Sequence, residues 1–224
     1  MATAATATRE TPPTAQPESL ADLLRRLGNI PARRVRLHPP PGTATEEDAI
    51  RNNESLLRAA ICELVEGTLV EKAMGWEESE MAGLIIQLLL NHVRPRKLGR
   101  VLAPDGMVRL LPGLLRAPDV SFIARGRLKR YRRGGKADPT IGPDLVVEVL
   151  SKSNTKAEMA RKLDEYFNAG TRLAWIVDPK TETVRVHLDP LDSTLLQAGD
   201  FLDGGDVIPG LRIAVEDLFE LEDD

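Results

Sequence analysis

Apolar residues recur along this chain with two periods, and the switch between them sketches its elements. Between Glu77 and Val93 the positions Met81, Leu84, Ile85, Leu88 and Leu89 fall at helical spacing, and Pro95 predicts the helix end. After Thr155 a second stripe, Ala160, Leu163 and Phe167, predicts a helix that stops at Gly170. Thr155-x-x-Glu158 has the form of a capping box for it. Shorter helices are predicted from Leu20 to Leu27, and from Glu46, Glu47 and Asp48 to near Leu64. Gly67 turns the chain into a first strand at Thr68 to Glu71. Further strands are predicted from Arg100 to Leu102, Met107 to Leu111 and Arg116 to Ile123, with Gly106 and Pro112-Gly113 between them. The run from Leu145 to Leu150 is β-branched and apolar, as a buried strand should be, and Leu173 to Val177 follows suit. Val184 to Leu188 alternates like a hairpin partner. A weak strand near Thr194 to Gln197, a short one after Pro209-Gly210-Leu211 and a helical turn at Val215 to Phe219 close the chain. This order predicts a mixed β-sheet flanked by helices, an α/β fold with α+β character.

Polar residues that interrupt the apolar runs carry the chemistry. Glu148 stands inside a strand that otherwise reads as fully buried, where a carboxylate is costly unless it is paired, hydrogen-bonded or bound to a metal. Asp119 stands near the start of an earlier strand, in Ala117-Pro118-Asp119-Val120, and Lys162 lies on the helix that follows Glu148. Two acids and a lysine are the parts of a hard-metal hydrolytic site: carboxylate oxygens hold a divalent ion, which polarises a phosphoryl oxygen and acidifies water. The spacing of Glu158, Lys162 and Tyr166 puts them on one helix face, where Lys162 also has a plain surface partner in Glu158. Between the two acidic strands, Arg125, Arg127, Lys129, Arg130, Arg132, Arg133 and Lys136 run without an acid. Such a run is either a solvated loop or a phosphate-contacting patch. Because it leaves the Asp119 strand and ends before the Glu148 strand, it is expected beside the acid pair.

Composition narrows the class. A hydrophobic fraction of 42% in 224 residues supports one folded domain. The Ala-, Thr- and Pro-rich residues 1–18 read as a disordered tail, residues 19–49 as an extension and residues 50–224 as the domain. A net charge of −4 means that a nucleic-acid surface must be a local patch. A single cysteine, Cys62, excludes an internal disulfide and suits the reducing cytoplasm. No signal peptide is evident, and no apolar run is long enough to span a membrane. Gly134-Gly135-Lys136 lacks the Ser or Thr of a phosphate loop.

The fragments Glu63-x-x-x-Gly67, Arg116-x-Pro118-Asp119, Pro143-Asp144-Leu145-x-x-Glu148-Val149-x-Ser151, Lys162-x-x-x-Tyr166 and Trp175-Ile176-Val177-Asp178-Pro179 occur in this order. Together they resemble the Uma-type restriction endonuclease family of the PD-(D/E)XK nuclease superfamily, over roughly residues 50 to 220. The resemblance implies a restriction-endonuclease-like core with added N-terminal β-hairpin strands. It also implies an endonuclease that hydrolyses phosphodiester bonds of DNA with Mg2+ or Mn2+. It makes Asp119 and Glu148 metal ligands, with the carbonyl of Val149 as a third, and makes Lys162 the residue that orients the attacking water. Glu63, Glu158 and Tyr166 become accessory residues. The sequence departs from the strict superfamily pattern at Leu150, where lysine is expected two residues after the acid, so Lys162 must fill that role. Lys152 is a rival on the strand's own side, although four residues of strand span about 13 Å, long for one metal site. Many relatives carry a histidine near the position of Glu80, and this chain does not. Cutting both strands of a duplex would suit a homodimer. The alternative is a non-catalytic nucleic-acid-binding protein on the same scaffold.

Overall fold

The computed structural model describes residues 17–55, 60–130 and 142–220. The expected disordered tail therefore lies almost wholly outside the described residues, as do Arg132, Arg133 and Lys136 and the side chains of Lys129 and Arg130.

Twelve described strands form three sheets. In the first sheet β1 (Cys62–Val65) pairs on one side with β2 (Thr68–Glu71) and on the other with β5 (Leu114–Arg116), which in turn pairs with β4 (Val108–Leu111). The β1–β2 hairpin turns on Glu66 and Gly67, with φ of 49° and 66°. Two positive φ values in a row give a turn whose twist matches the strands it joins, and glycine adopts one without strain. The expected helix running to Leu64 is wrong here. Helix α2 (Glu46–Glu54) ends earlier, and the residues from Cys62 on pair with β2.

The second sheet is the core. Its order is β10 (Ser193–Leu196), β9 (Thr183–His187), β8 (Leu173–Asp178), β7 (Leu145–Val149), β6 (Val120–Ala124) and β3 (Gly99–Leu102). Only β7 and β8 run parallel, so the sheet is mixed. The expected single strand from Arg116 to Ile123 is in fact two, β5 and β6, in different sheets. They separate at Ala117-Pro118-Asp119, and Pro118 has no N–H to offer a ladder. The third sheet, β11 (Phe201–Asp203) and β12 (Arg212–Ala214), adds a strand that apolar alternation did not reveal.

Helices cover both faces of the core sheet. Residues Val147 and Val149 face α3 (Trp76–Arg96) and meet Ile85, Leu89 and Val93 in one cluster. Val146, one step along, faces α4 (Lys156–Asn168) with Met159, Leu163 and Tyr166. That alternation follows from the period of two, and it puts Glu148 on the α4 side. Helix α3 passes Pro95 and ends one residue later, at a Lys97 in the left-handed region with φ of 53°. Proline lacks the N–H that would bond back to the carbonyl four residues earlier, and the helix runs only one residue beyond it. No described helix is long and apolar enough to cross a membrane.

The N-terminal segment packs against this body. Helix α1 (Leu20–Arg26) contributes Leu23, which joins Leu27, Ile30 and Val35 against Val65 and Val70. Gly28, with φ of 88°, lets this segment approach the start of α4. A Cβ there would lie 2.7 Å from the Glu158 Cα.

Candidate active site

The corner at Ala117-Pro118-Asp119 delivers Asp119 to the start of β6. In the β6–β7 register Val120 lies opposite Val147 and Ser121 opposite Val146. One more step places Asp119 opposite Glu148, and directly opposed residues project from the same face of a sheet. Both acids are buried, at 2% and 4% exposure. The Val149 N–H donates to Asp119 Oδ2 at 2.7 Å, which fixes that carboxylate.

Helix α4 lays its polar side chains over the pair. The sequence stripe was displaced by one residue: Ala160 is exposed, whereas Met159, Leu163 and Tyr166 are buried. This rotation moves Lys162 from the margin of the helix face into the protein. Its Nζ donates to both oxygens of Glu148, at 3.1 and 3.0 Å, and lies 3.4 Å from Glu63 Oε1. The Tyr166 hydroxyl donates to Glu148 Oε1. The bland reading of Lys162 as a surface residue paired with Glu158 does not hold, since Lys162 is 2% exposed. Glu158 instead accepts a two-pronged bond from Arg34, at 2.9 and 2.8 Å, and one from Asn154 at 3.1 Å. Thr155 still caps the helix through the Glu158 N–H at 3.0 Å, while the Glu158 carboxylate has turned to Arg34.

Charges continue to alternate away from the acids. Glu63 on β1 pairs with Arg116 at 2.7 Å and accepts the Ala117 N–H at 3.1 Å. Arg116 in turn meets Glu165 at 2.6 Å. Burial alone would raise the Glu63 pKa, but Lys162 and Arg116 more than reverse this and hold it down at about 2. Glu148 moves the other way. Burial raises it, and the neighbouring charges of Asp119 and Glu63 add to the rise against the pull of Lys162 and Lys72. Burial opposes the charge of Lys162, yet Glu148 and Glu63 outweigh it and keep the ammonium protonated above its ordinary range. The Tyr166 hydroxyl is pushed well up by burial and by Glu148, so it remains a donor.

Three members of the site had no assigned role in the sequence reading: Lys72, Arg116 and Arg34. Lys72 Nζ lies 2.9 Å from Asp119 Oδ1 and donates to the Ala117 carbonyl at 2.5 Å. A signal for it existed. Lys72 is two residues past Val70, and Val70 is paired opposite Glu63, so strand parity places Lys72 on the face of Glu63. Lys152, by contrast, is exposed and makes no contact with the acids in the described structure.

Arg125 and Arg127, the members of the basic run whose side chains are described, do not lie beside the acids. Residues Arg125 and Arg127 leave β6 at its far end, about 20 Å from Asp119 at roughly 3.4 Å per residue. The reason is topological: an antiparallel connection joins the end of β6 to the start of β7, while the acids occupy the start of β6 and the end of β7. Arg127 pairs with Asp144 at 3.3 Å. Arg125 lines a cavity of about 510 Å3 with Arg94, Lys97, Arg100, Gly99 and Leu128, and no acid is among these residues.

Taken together, a mixed sheet flanked by α3 and α4 is the plan of the restriction-endonuclease-like fold. A solved structure bears this out: that of a putative nuclease of DUF820 from Anabaena variabilis superposes with a TM-score of 0.63 at 20% identity, over 71% of this chain and 89% of the other. Residues 54–216 match the Uma2 family, described as "Putative restriction endonuclease", and the chain belongs to that family. A comparison with curated proteins gives no match.

Proposed function

We propose that this protein is a divalent-metal-dependent DNA endonuclease that hydrolyses phosphodiester bonds at the Asp119–Glu148 site. One observation carries the reading: two buried acids stand opposite each other across β6 and β7, and a buried lysine donates to both oxygens of one of them. The donor set fits a hard cation. Carboxylates and a backbone carbonyl are the oxygen ligands that Mg2+ or Mn2+ takes, and Asp119 Oδ1 is buried without a hydrogen bond. Asp119, Glu148 and the Val149 carbonyl would hold the ion. When bound, such an ion polarises a phosphoryl oxygen and lowers the pKa of water.

The chain's own residues do the positioning. Lys162 orients the attacking water and steadies negative charge on the phosphate, as a preorganised cation in a dry site does. Tyr166 and Lys162 fix the Glu148 carboxylate, while Glu63 holds Lys162 from its other side. The cations around Arg125 bind DNA phosphates at a distance from the acids. Two-fold pairing of two chains would present one site to each strand, and a free buried Cys62 suits the cytoplasm.

A plasmid-nicking assay tests the reading. Relaxed and linear DNA should form with Mg2+ or Mn2+, not with chelator, and not with Glu148→Ala. Cleavage that survives Glu148→Ala would overturn it. Retained DNA binding without cleavage under any metal would favour the binding-protein alternative, which the acid-free cavity at Arg125 supports.

A further inference from the structure

Lys72 is a buried cation whose position on Asp119 has a consequence for metal binding. Its side chain is 3% exposed, and its Nζ sits 2.9 Å from Asp119 Oδ1. That oxygen nevertheless accepts no hydrogen bond. The directed bonds of the ammonium go to the carbonyls of Ala117 and Pro104, at 2.5 and 3.4 Å. The two oxygens of Asp119 are therefore held differently. Oδ2 is fixed by the Val149 N–H, whereas Oδ1 is only neutralised.

The charge balance of the site makes this pairing matter. The buried acids Glu63, Asp119, Glu148 and Glu158 are matched by the buried bases Arg34, Lys72, Arg116 and Lys162. The cluster is neutral as it stands. A divalent cation added to it would leave excess positive charge in a low-dielectric interior, which is costly. One base has to give way. Arg34 grips Glu158 with two bonds, Arg116 joins Glu63 to Glu165, and Lys162 grips both oxygens of Glu148. Lys72 has the weakest hold on its acid, and its four-carbon stem can swing.

Resting on the metal-dependent reading above, we infer that Lys72 and a divalent cation compete for Asp119 Oδ1. Lys72 is the resident counter-ion beside Asp119, and it releases that oxygen when the cation arrives. Metal binding is then an exchange of one cation for another, and Lys72 leaves the buried site as the metal enters.

The test needs no DNA. Full-length protein, stripped with chelator, is titrated with Mn2+, and free Mn2+ is followed by electron paramagnetic resonance. Lys72→Met should bind at least roughly tenfold tighter than the wild type, a modest effect for removing one adjacent charge at an effective dielectric of about 20. Lys72→Arg, which keeps the charge, should show no such gain. Equal or weaker binding by Lys72→Met overturns the inference. A second measurement uses the wild type, in case Lys72→Met does not fold. Labelling of Lys72 by an amine-reactive reagent, read by mass spectrometry, should rise when Mn2+ is added. Labelling that stays level or falls while Mn2+ is bound overturns the inference alone. Failure of both the wild type and Lys72→Met to bind Mn2+ removes this inference and the metal-dependent reading together.

Discussion

The two ends of β6 treat positive charge in opposite ways. At its start, Lys72 and Lys162 are buried, and each lies within 3.0 Å of a carboxylate oxygen. At its far end, Arg94, Lys97 and Arg125 line an open cavity with no acid among its described lining residues. Buried charge must be matched side chain by side chain, because desolvation is otherwise prohibitive. Charge facing water carries no such demand and can be massed toward a polyanion. In a protein of net charge −4, the massed end is a local exception. Under the function proposed above, the matched end would serve the chemistry and the massed end would hold the DNA.

The sharpest way to break this comparison is at the matched end. Glu148→Gln or Lys162→Met should lower single-turnover nicking by roughly 10²–10³-fold or more, the range seen when one preorganised group is removed. Lys152→Ala should leave the rate unchanged. An active Lys162→Met protein would dissolve the contrast between the ends.

The next effect is on stability. Glu63→Gln leaves Arg116 and Lys162 short of a buried partner and should cost about 3–5 kcal/mol in urea unfolding. Arg125→Gln should change stability by no more than about 0.5 kcal/mol. Equal costs at the two ends would show that burial is not what separates them.

A third prediction concerns acid. The folded-state pKa of Glu63 is about 2 against an ordinary 4.5. A depressed carboxylate contributes stability that is full above the unfolded pKa and is lost as pH falls toward the folded one. About 3 kcal/mol should therefore disappear between roughly pH 5 and pH 2. Glu148, shifted upward, acts in the reverse sense, so the measurement is the difference between wild type and Glu63→Gln across this window. A constant difference would refute the assignment.

The smallest effect belongs to the massed end. Replacing Arg94 and Arg125 with Ala should reduce the log–log salt slope of duplex binding by about 0.9 for each phosphate that is no longer neutralised. Cleavage of DNA already bound should persist. An unchanged slope would make the cavity a solvated surface and no more.

Much of the matched end was legible in the sequence, for local reasons. Glu148 showed itself as an acid in an apolar strand, and Lys162 and Tyr166 shared a helical phase with Glu158. What escaped was the choice of partners. Arg34 and Glu158 are 124 residues apart, and Lys72 meets the carbonyl of Ala117 across 45. No pattern of period two or 3.6 reports such a meeting. Topology also took Arg125 and Arg127 away from the acids, because they follow the end of β6 opposite to Asp119. The strand at Cys62–Val65 was hidden for a third reason: its four residues are too few for periodicity to separate from the end of a helix.

The grip of Arg34 on Glu158 reaches beyond the site. The stretch that matches the family begins at residue 54, twenty positions after Arg34. Cutting the chain at that border would strip Glu158 of its guanidinium, remove Leu23, Leu27 and Ile30 from Val65 and Val70, and free the first turn of the helix that carries Lys162. The portion that marks the lineage is thus shorter than the portion that must be made for the lysine to arrive at its acid. Anyone who trims this protein to its recognisable part will be handling a looser object than the one nature builds.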